Sequence, residues 1–368
     1  MSQACNRWIR RAVDFSRFTR LSVVGFTWAL VLLGAYTSGL ALSATRLCLL
    51  ILAATAFHFF AYVSNDVIDL ALDRTVSSRQ ADPLARGSMA PWIAAVFAGI
   101  QVPLAMLLDF SAGARGSALT AFCASFVLMA IYNLFGKRLR WPILTDMAQG
   151  LSWGLLVVCA ALTVGSSIPA RTAITGASIL IYITLANGIH GALRDLHGDK
   201  QFGARTTAIW LGADTSPGGH IIVSRSLRWY AYSLSCILTV LCLSNVAVDR
   251  HSEPTSAMHV SILIVLILAV GVILLGAKAL RGGDPRFLLG LGTVHAFALL
   301  VMIVISPLLG RKQTLPILLI LFTATWPMIA GGWLLRAVRT ILERLHRRNL
   351  ASARESIPLA QQSTSKEL

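Results

Sequence analysis

Long apolar runs, broken by polar ones, dominate the chain. Ten stretches, at about 19–43, 46–64, 91–109, 115–135, 142–164, 171–192, 226–248, 258–280, 287–309 and 314–336, are each long enough to cross a bilayer core of ~30 Å as a helix. Their apolar positions are continuous rather than alternating, which predicts helices and disfavours a β-barrel. Most of the polar breaks are short, but 65–90 and 193–225 are long. Each of these two opens on acidic residues at a predicted helix end and continues with basic, glycine-containing sequence. Residues 1–18 are basic and lack a small-residue cleavage site, so they read as an interfacial arm. The run within 311–342 reads as an additional span after the main bundle. Residues 343–368 read as a polar, disordered tail.

Composition supports this picture. Hydrophobic residues fill 56% of 368 positions and charged ones only 13%, about half the charged share of a soluble chain. A lipid bilayer is the expected surrounding. The net charge of +16 does not imply nucleic acid, because its placement follows the membrane. With the N-terminus in the cytoplasm, six of the 32 Lys and Arg residues fall outside: Arg46, Arg115, Arg171, Arg250, Arg311 and Lys312. That asymmetry is the positive-inside rule. It puts the N-terminus and both long acidic breaks on the cytoplasmic side. The six cysteines form no C-x-x-C pair and mostly fall inside apolar runs. They read as small core residues, not as disulfides or a zinc site.

Chemistry enters with the acids. Five of the 16 Asp and Glu residues fall in two clusters. Asp66, Asp69 and Asp73 share a helical face in "NDVIDLALD", and Asp195 and Asp199 are spaced i,i+4 in "RDLHGDK". Asn65 and Asn187 add amide oxygens nearby. A single acid at a helix end is usually solvated, or paired with neighbours such as Arg74, Arg79 and Lys200. Stacked like charges repel by several tenths of a kcal/mol, and a helix C-terminus disfavours anions further. A hard divalent cation resolves the conflict. Mg²⁺ takes oxygen ligands and is typically held by carboxylates together with substrate phosphates. Lys137, Arg138, Lys200 and Arg205 lie in breaks on the same side and suit a diphosphate, although the positive-inside bias alone also accounts for cations there. Asp109 and Asp146 are the other acids near span edges, and Asp146 in "PILTDMAQG" is a candidate cavity residue.

These residues resemble the UbiA superfamily of intramembrane prenyltransferases. "NDVIDLALD" matches its N-D-x-x-D-x-x-x-D motif and "DLHGD" its D-x-x-x-D motif. "DPLARG" is similar to the R-P-L-x-x-G stretch, with Asp82 where Arg is usual. "GDKQFGARTTAIWLG" is similar to the G-D-x-x-x-G-x-x-T-x-x-x-x-x-G ending. "YNLFGKR" resembles the Y-x-x-x-K segment, with Tyr132 and Lys137 one residue further apart. The likeness runs from about residue 15 to 310. It implies nine helices around a central cavity, so the expected fold is an all-α, polytopic transmembrane bundle of nine to ten spans with its cavity opening on the cytoplasmic side. It implies that Asn65, Asp66, Asp69 and Asp73, with Asp195 and Asp199, bind Mg²⁺ and the diphosphate of an isoprenoid. Lys137, Arg138, Lys200 and Arg20 would hold diphosphate oxygens, and Tyr132 would face the allylic carbon.

The expected activity is prenyl transfer. An isoprenyl diphosphate ionises, and an acceptor, most often an aromatic ring, attacks the cation in a water-poor cavity. Phe57, Phe60, Tyr132 and Trp153 are candidates to flank that cation, although aromatics in spans usually only pack. Hydroxybenzoate-type relatives carry an Arg shortly before the N-D motif, but "FHFFAYVSND" has none. His58 stands there instead, as a core histidine or an acceptor contact. The alternative is a membrane terpene cyclase of the same superfamily, needing no acceptor. A transporter would place ionisable groups along a path through the membrane, whereas these acids cluster at one face.

Overall fold

The computed structural model describes residues 3–39, 41–75, 79–165, 167–248, 256–309, 314–330 and 340. Among the described residues, eight helices are long and apolar enough to cross a membrane, or nine if one bent pair counts as a single span. The bent pair replaces the straight first span expected over 19–43. Helix α1 (Gln3–Phe18) is followed by Arg20, whose φ of 50° is the one positive value among described non-glycine residues. A left-handed residue cannot continue a right-handed helix. The chain turns by 58°, makes one 3₁₀ turn (Leu21–Val23) and enters α2 (Val24–Thr37).

Helix α3 (Ala44–Ile68) starts on Ser43, whose hydroxyl accepts from the Arg46 amide. It breaks at Asp69 and resumes as one turn, α4 (Leu70–Asp73). Helices α5 (Pro91–Ala112), α6 (Gly116–Phe135) and α7 (Pro142–Val164) follow. Helix α8 (Ala170–Leu185) passes through a π-helical turn (Ala186–Gly191) directly into α9 (Ala192–Gln201). This element of 32 residues corrects the expected loop after residue 192. Its last third is polar, so hydropathy ends the span too early, although the backbone continues as helix. A short α10 (Thr207–Trp210) and a hairpin, β1 (Asp214–Thr215) with β2 (Ile221–Ile222), come next. Helices α11 (Arg225–Ala247), α12 (Ser256–Ala279), α13 (Pro285–Ile305) and α14 (Thr314–Ala330) complete the order.

Helix α7 is central and packs on α6, α8 and α2, while α3 packs on α5. Close approach depends on glycine: a Cβ at Gly34 would lie 2.1 Å from the Val157 carbonyl oxygen. Leu30, Leu33, Phe57, Leu156 and Ile179 fill the core around that contact. Ile100, Leu107, Val240, Ile267 and Leu274 point outward, as expected where the surrounding is hydrocarbon. Cys48, Cys123 and Cys236 also lie exposed rather than in the core, whereas Cys159 and Cys242 are buried. Helix α14, with 17 residues, is shorter than the spans and sits on α2, where Gly25 meets Thr323 and Trp326. The tail 343–368, the rest of 311–342 apart from Thr340, and Arg250 lie outside the described residues.

Candidate active site

At 100° per residue, Asp73 lies about 20° from Asp66 around the helix axis and Asp69 about 60° away. The structure follows that division. Asp66 and Asp73 line one small pocket with Phe18, Leu70, Asp82 and Leu84. The guanidinium of Arg20 pairs with Asp66 and lies 5.0 Å over the Tyr62 ring. Arg79 stands 3.6 Å from Asp73 and 3.5 Å from Asp82. Burial raises the Asp73 carboxyl to about 6, against the pull of Arg79.

Asp69 turns the other way, to Lys137. The Lys137 ammonium is 3.2 Å from Asp69 Oδ2 and 3.5 Å from Asp199 Oδ1. One cation therefore bridges the two acidic motifs, which come from the ends of α3 and α9. Burial alone would lower the Lys137 pKa, but Asp69 and Asp199 outweigh it and raise it. Its loop is held from both sides. Asn133 donates to the Ala61 carbonyl at 3.0 Å and to Ser64 Oγ at 2.7 Å, fixing α6 to α3. The Arg205 amide donates to the Lys137 carbonyl at 2.8 Å. Asp195 takes a bidentate pair from Arg194, at 2.8 and 2.6 Å. Tyr132, near the end of α6, is partly buried against the core.

Not every expected residue joins this group. Lys200 pairs with Asp214 of the hairpin, and that contact, with the Thr215 amide, holds the Asp214 carboxyl below its ordinary range. Arg138 is exposed and reaches the Leu134 carbonyl at 3.4 Å. Arg205 is exposed and engages Lys137 through its backbone alone. The Asn65 carbonyl accepts from the Asp69 amide, and Asn187 donates to Gln149 Oε1 at 2.9 Å. His58 is fully buried, with Nδ1 at 2.8 Å from the Thr27 hydroxyl and Nε2 at 3.2 Å from the Arg20 carbonyl. It is a packed core histidine that braces the Arg20 turn. Sequence reasoning passed over Arg194 and Tyr62. Arg194 had a signal, since it immediately precedes Asp195 on a helix already carrying the second motif. Tyr62, one turn before Asp66, had only that spacing.

Deeper in the bundle the rings pack on one another. Trp153 contacts Phe57 at 5.3 Å, Phe26 at 5.6 Å and Tyr62 at 6.1 Å between centroids. Phe60 meets Phe126 at 5.0 Å. An aromatic wall thus begins beside Arg20 and Asp66 and runs inward along α3 and α7.

Among the described residues, no three His, Cys, Asp or Glu side chains stand close enough to hold a metal ion as they are. The motif carboxylates rest on Arg20, Arg79, Lys137 and Arg194 instead. Their chemistry nevertheless fits a hard divalent cation, because the donors are carboxylate oxygens alone. Asp199 is 2% exposed, and its Oδ1 has no hydrogen-bond partner although the Lys137 ammonium lies 3.5 Å away. A buried carboxylate oxygen of that kind has capacity for a further electrostatic partner.

The model of the UbiA prenyltransferase family matches residues 22–249. The apo structure of a UbiA homolog from Aeropyrum pernix K1 is similar with a TM-score of 0.57 at 15% identity, covering 77% of this chain and 97% of that one. Structures of a UbiA homolog from Archaeoglobus fulgidus are similar as well. The one bound to GPP and Mg²⁺ has a TM-score of 0.52 at 14% identity, and the one bound to DMAPP and Mg²⁺ has 0.53 at 14%. Each covers 89% of this chain and 99% of the other. At these identities the likeness concerns the fold. No curated protein matches the chain significantly.

Proposed function

Because the chain belongs to the UbiA prenyltransferase family, we propose that it is a Mg²⁺-dependent intramembrane prenyltransferase. It ionises an isoprenyl diphosphate and passes the prenyl group to an acceptor, which we take to be aromatic. The observation that carries this reading is the Lys137 ammonium shared by Asp69 and Asp199. It ties two motifs far apart in sequence into one polar centre, at the mouth of an aromatic-walled bundle. The Archaeoglobus fulgidus homologue bound to GPP and Mg²⁺ supports the substrate class.

In this reading Asn65, Asp66, Asp69 and Asp73 form one oxygen-donor set and Asp195 and Asp199 the other. A Mg²⁺ ion held there would neutralise diphosphate and make it a better leaving group. The chain's own cations do the rest of the electrostatic work. Lys137, Arg20 and Arg194 now rest on carboxylates, and each has hydrogens to offer diphosphate oxygens when those carboxylates take a metal. Lys200, Arg138 and Arg205 form an outer ring of positive charge on the same side, which attracts the anionic headgroup. We assign Tyr132, near the end of α6 and partly buried against the core, to face the allylic carbon. The rings of Phe57, Phe60, Tyr62 and Trp153 exclude water and offer π faces to positive charge. We place this mouth, with the N-terminus, on the cytoplasmic side from the distribution of Lys and Arg.

The acceptor reading narrows in one respect. Both nitrogens of His58 are taken by Thr27 and Arg20, so it has no hydrogen bond left for an acceptor carboxylate. That disfavours a benzoate. The contiguous aromatic wall also favours a second reading, a terpene cyclase in which the substrate's own double bond attacks. Purified protein, Mg²⁺ and ten-, fifteen- and twenty-carbon prenyl diphosphates, each with and without aromatic acceptors, separate the two. A prenylated ring is the result expected, and a cyclic product without acceptor favours the cyclase. Unchanged turnover in both Asp66→Ala and Asp195→Ala would sink both enzyme readings.

A further inference from the structure

Ionisation leaves a step that the residues above do not perform. When a ring or an alkene attacks the cation, a proton must leave the product, and a water-poor cavity needs a base to take it. The acidic motifs are poor candidates, because their carboxylates rest on cations and would face a metal in the loaded state. Three interior histidines are placed differently. His58 is bound through both ring nitrogens. His190 Nε2 and His295 Nδ1 hold each other at 2.7 Å, and the unbonded His295 Nε2 packs against Gly276 of α12.

Asp146 differs from all of these. It is 6% exposed, on the first turns of α7. Its one hydrogen bond among the described residues comes from the neutral Thr207 hydroxyl, to Oδ2 at 2.5 Å. The ion pairs of the described residues do not include it. The π-helical turn passes directly over it, and a Cβ at Gly188 would fall 2.4 Å from Asp146 Oδ2. A glycine there lets the backbone approach the carboxylate. Thr145, the neighbour of Asp146, lies 3.5 Å from the Gly136 carbonyl, next to Lys137. Gln149 and Trp153 follow at i+3 and i+7, on the same face of α7. That face therefore runs from a carboxylate, through the Gln149–Asn187 hydrogen bond, to the aromatic wall. Asp146 stands where the polar mouth meets the ring-lined interior, the region where the cation's first carbon is expected. The other buried acid with only neutral partners, Asp109, contacts Thr163 and Cys159. These lie at the other end of α7, about 20–25 Å away at 1.5 Å per residue.

We propose that Asp146 is the base that removes the proton when the carbocation is resolved, an inference that rests on the reading given under Proposed function. The carbon–oxygen bond of the substrate breaks, and its electron pair leaves on diphosphate. A π pair of the acceptor, or of the substrate's own alkene, forms the new carbon–carbon bond. The proton on the acceptor carbon that formed the new bond, or in a cyclase on the carbon next to the final cation, passes to an Asp146 oxygen, and the C–H pair restores the double bond. The balance is prenyl diphosphate plus acceptor C–H giving prenylated acceptor, diphosphate and one proton.

Asp146→Asn tests this, because an amide oxygen still accepts from Thr207. Final product per diphosphate released should fall by roughly 100-fold, the usual worth of a general base, with prenyl alcohol from water capture making up the difference. Deuterium at the acceptor carbon that forms the new bond should then slow product formation in the variant and not in wild type. Asp146→Glu, which restores a carboxylate, should recover part of the lost coupling, which a packing role alone would not explain. A wild-type product ratio with no isotope effect in Asp146→Asn overturns the proposal. Wild-type protein that releases no diphosphate from any prenyl diphosphate overturns the underlying enzyme reading, and this inference with it.

Discussion

Asp73 is held near 6, above its ordinary 3.8, chiefly because it is buried. A proton on this carboxyl therefore stabilises the fold when no metal is bound. That contribution is fully present below about pH 4 and is lost as pH rises through about 6. Asp73→Asn removes it. In EDTA the variant should melt higher than wild type above pH 6 and show no advantage below pH 4. A constant difference across that range would mean that Asp73 titrates normally. Magnesium should reverse the order at neutral pH, because the wild-type carboxylate can then bind it. Lys137 gives a complementary expectation. Lys137→Met leaves Asp69 and Asp199 facing each other without their shared cation, so the variant should melt lower in EDTA. Mg²⁺ should raise its melting temperature by more than it raises that of wild type. Turnover should fall on the order of 100-fold even with metal, because a cationic donor to the leaving group is gone. An equal Mg²⁺ shift in both proteins would detach Lys137 from the metal-binding set.

At the scale of elements, the positions that decide packing are the ones where a helix approaches another backbone. Gly34 faces the Val157 carbonyl at a distance no Cβ tolerates. Gly34→Val should cost about 1–3 kcal/mol through overpacking, read as a lower unfolding midpoint in detergent, with α2 and α7 pushed apart. What could be read from the chain also divides by element. The long apolar runs announce α3, α5, α6, α7, α11, α12 and α13, because hydrocarbon thickness imposes a length that composition reveals. The i,i+3 and i,i+4 acids announce two charged helix ends for the same geometric reason. The turn at Arg20 was not legible, since nothing in "RFTRLS" marks a left-handed residue. Nor was the continuation of α8 into α9, because a helix that leaves the membrane stops being apolar without ceasing to be a helix. The bridge from Lys137 to Asp199 depends on how α6 and α9 pack, which no local pattern encodes. Arg138, Lys200 and Arg205 show the converse. Proximity in sequence to the acids made them candidates, but the Arg138 and Lys200 side chains are engaged elsewhere, and Arg205 reaches the centre only through its backbone amide to Lys137.

For the molecule as a whole, orientation is the open physical variable that the charge distribution addresses. A cysteine introduced at Gln80, in the exposed segment after the first acidic motif, should react with an impermeant thiol reagent only from the cytoplasmic side. Labelling from the opposite side would invert the proposed topology. The π-helical turn has a larger consequence for how the bundle holds together as a machine. Such a turn amounts to one surplus residue in an otherwise regular helix. Deleting one residue between Ala186 and Gly191 would let α8 and α9 run on as a single uniform rod. Because the widened turn already absorbs that residue, what lies beyond the deletion would keep nearly its present phase, and Asp199 would stay in line with Lys137. The close approach of Gly188 to Asp146 is what the deletion would disturb. The surplus residue thus works like a shim: it leaves the two halves of the rod aligned and sets only how closely one side stands to its neighbour.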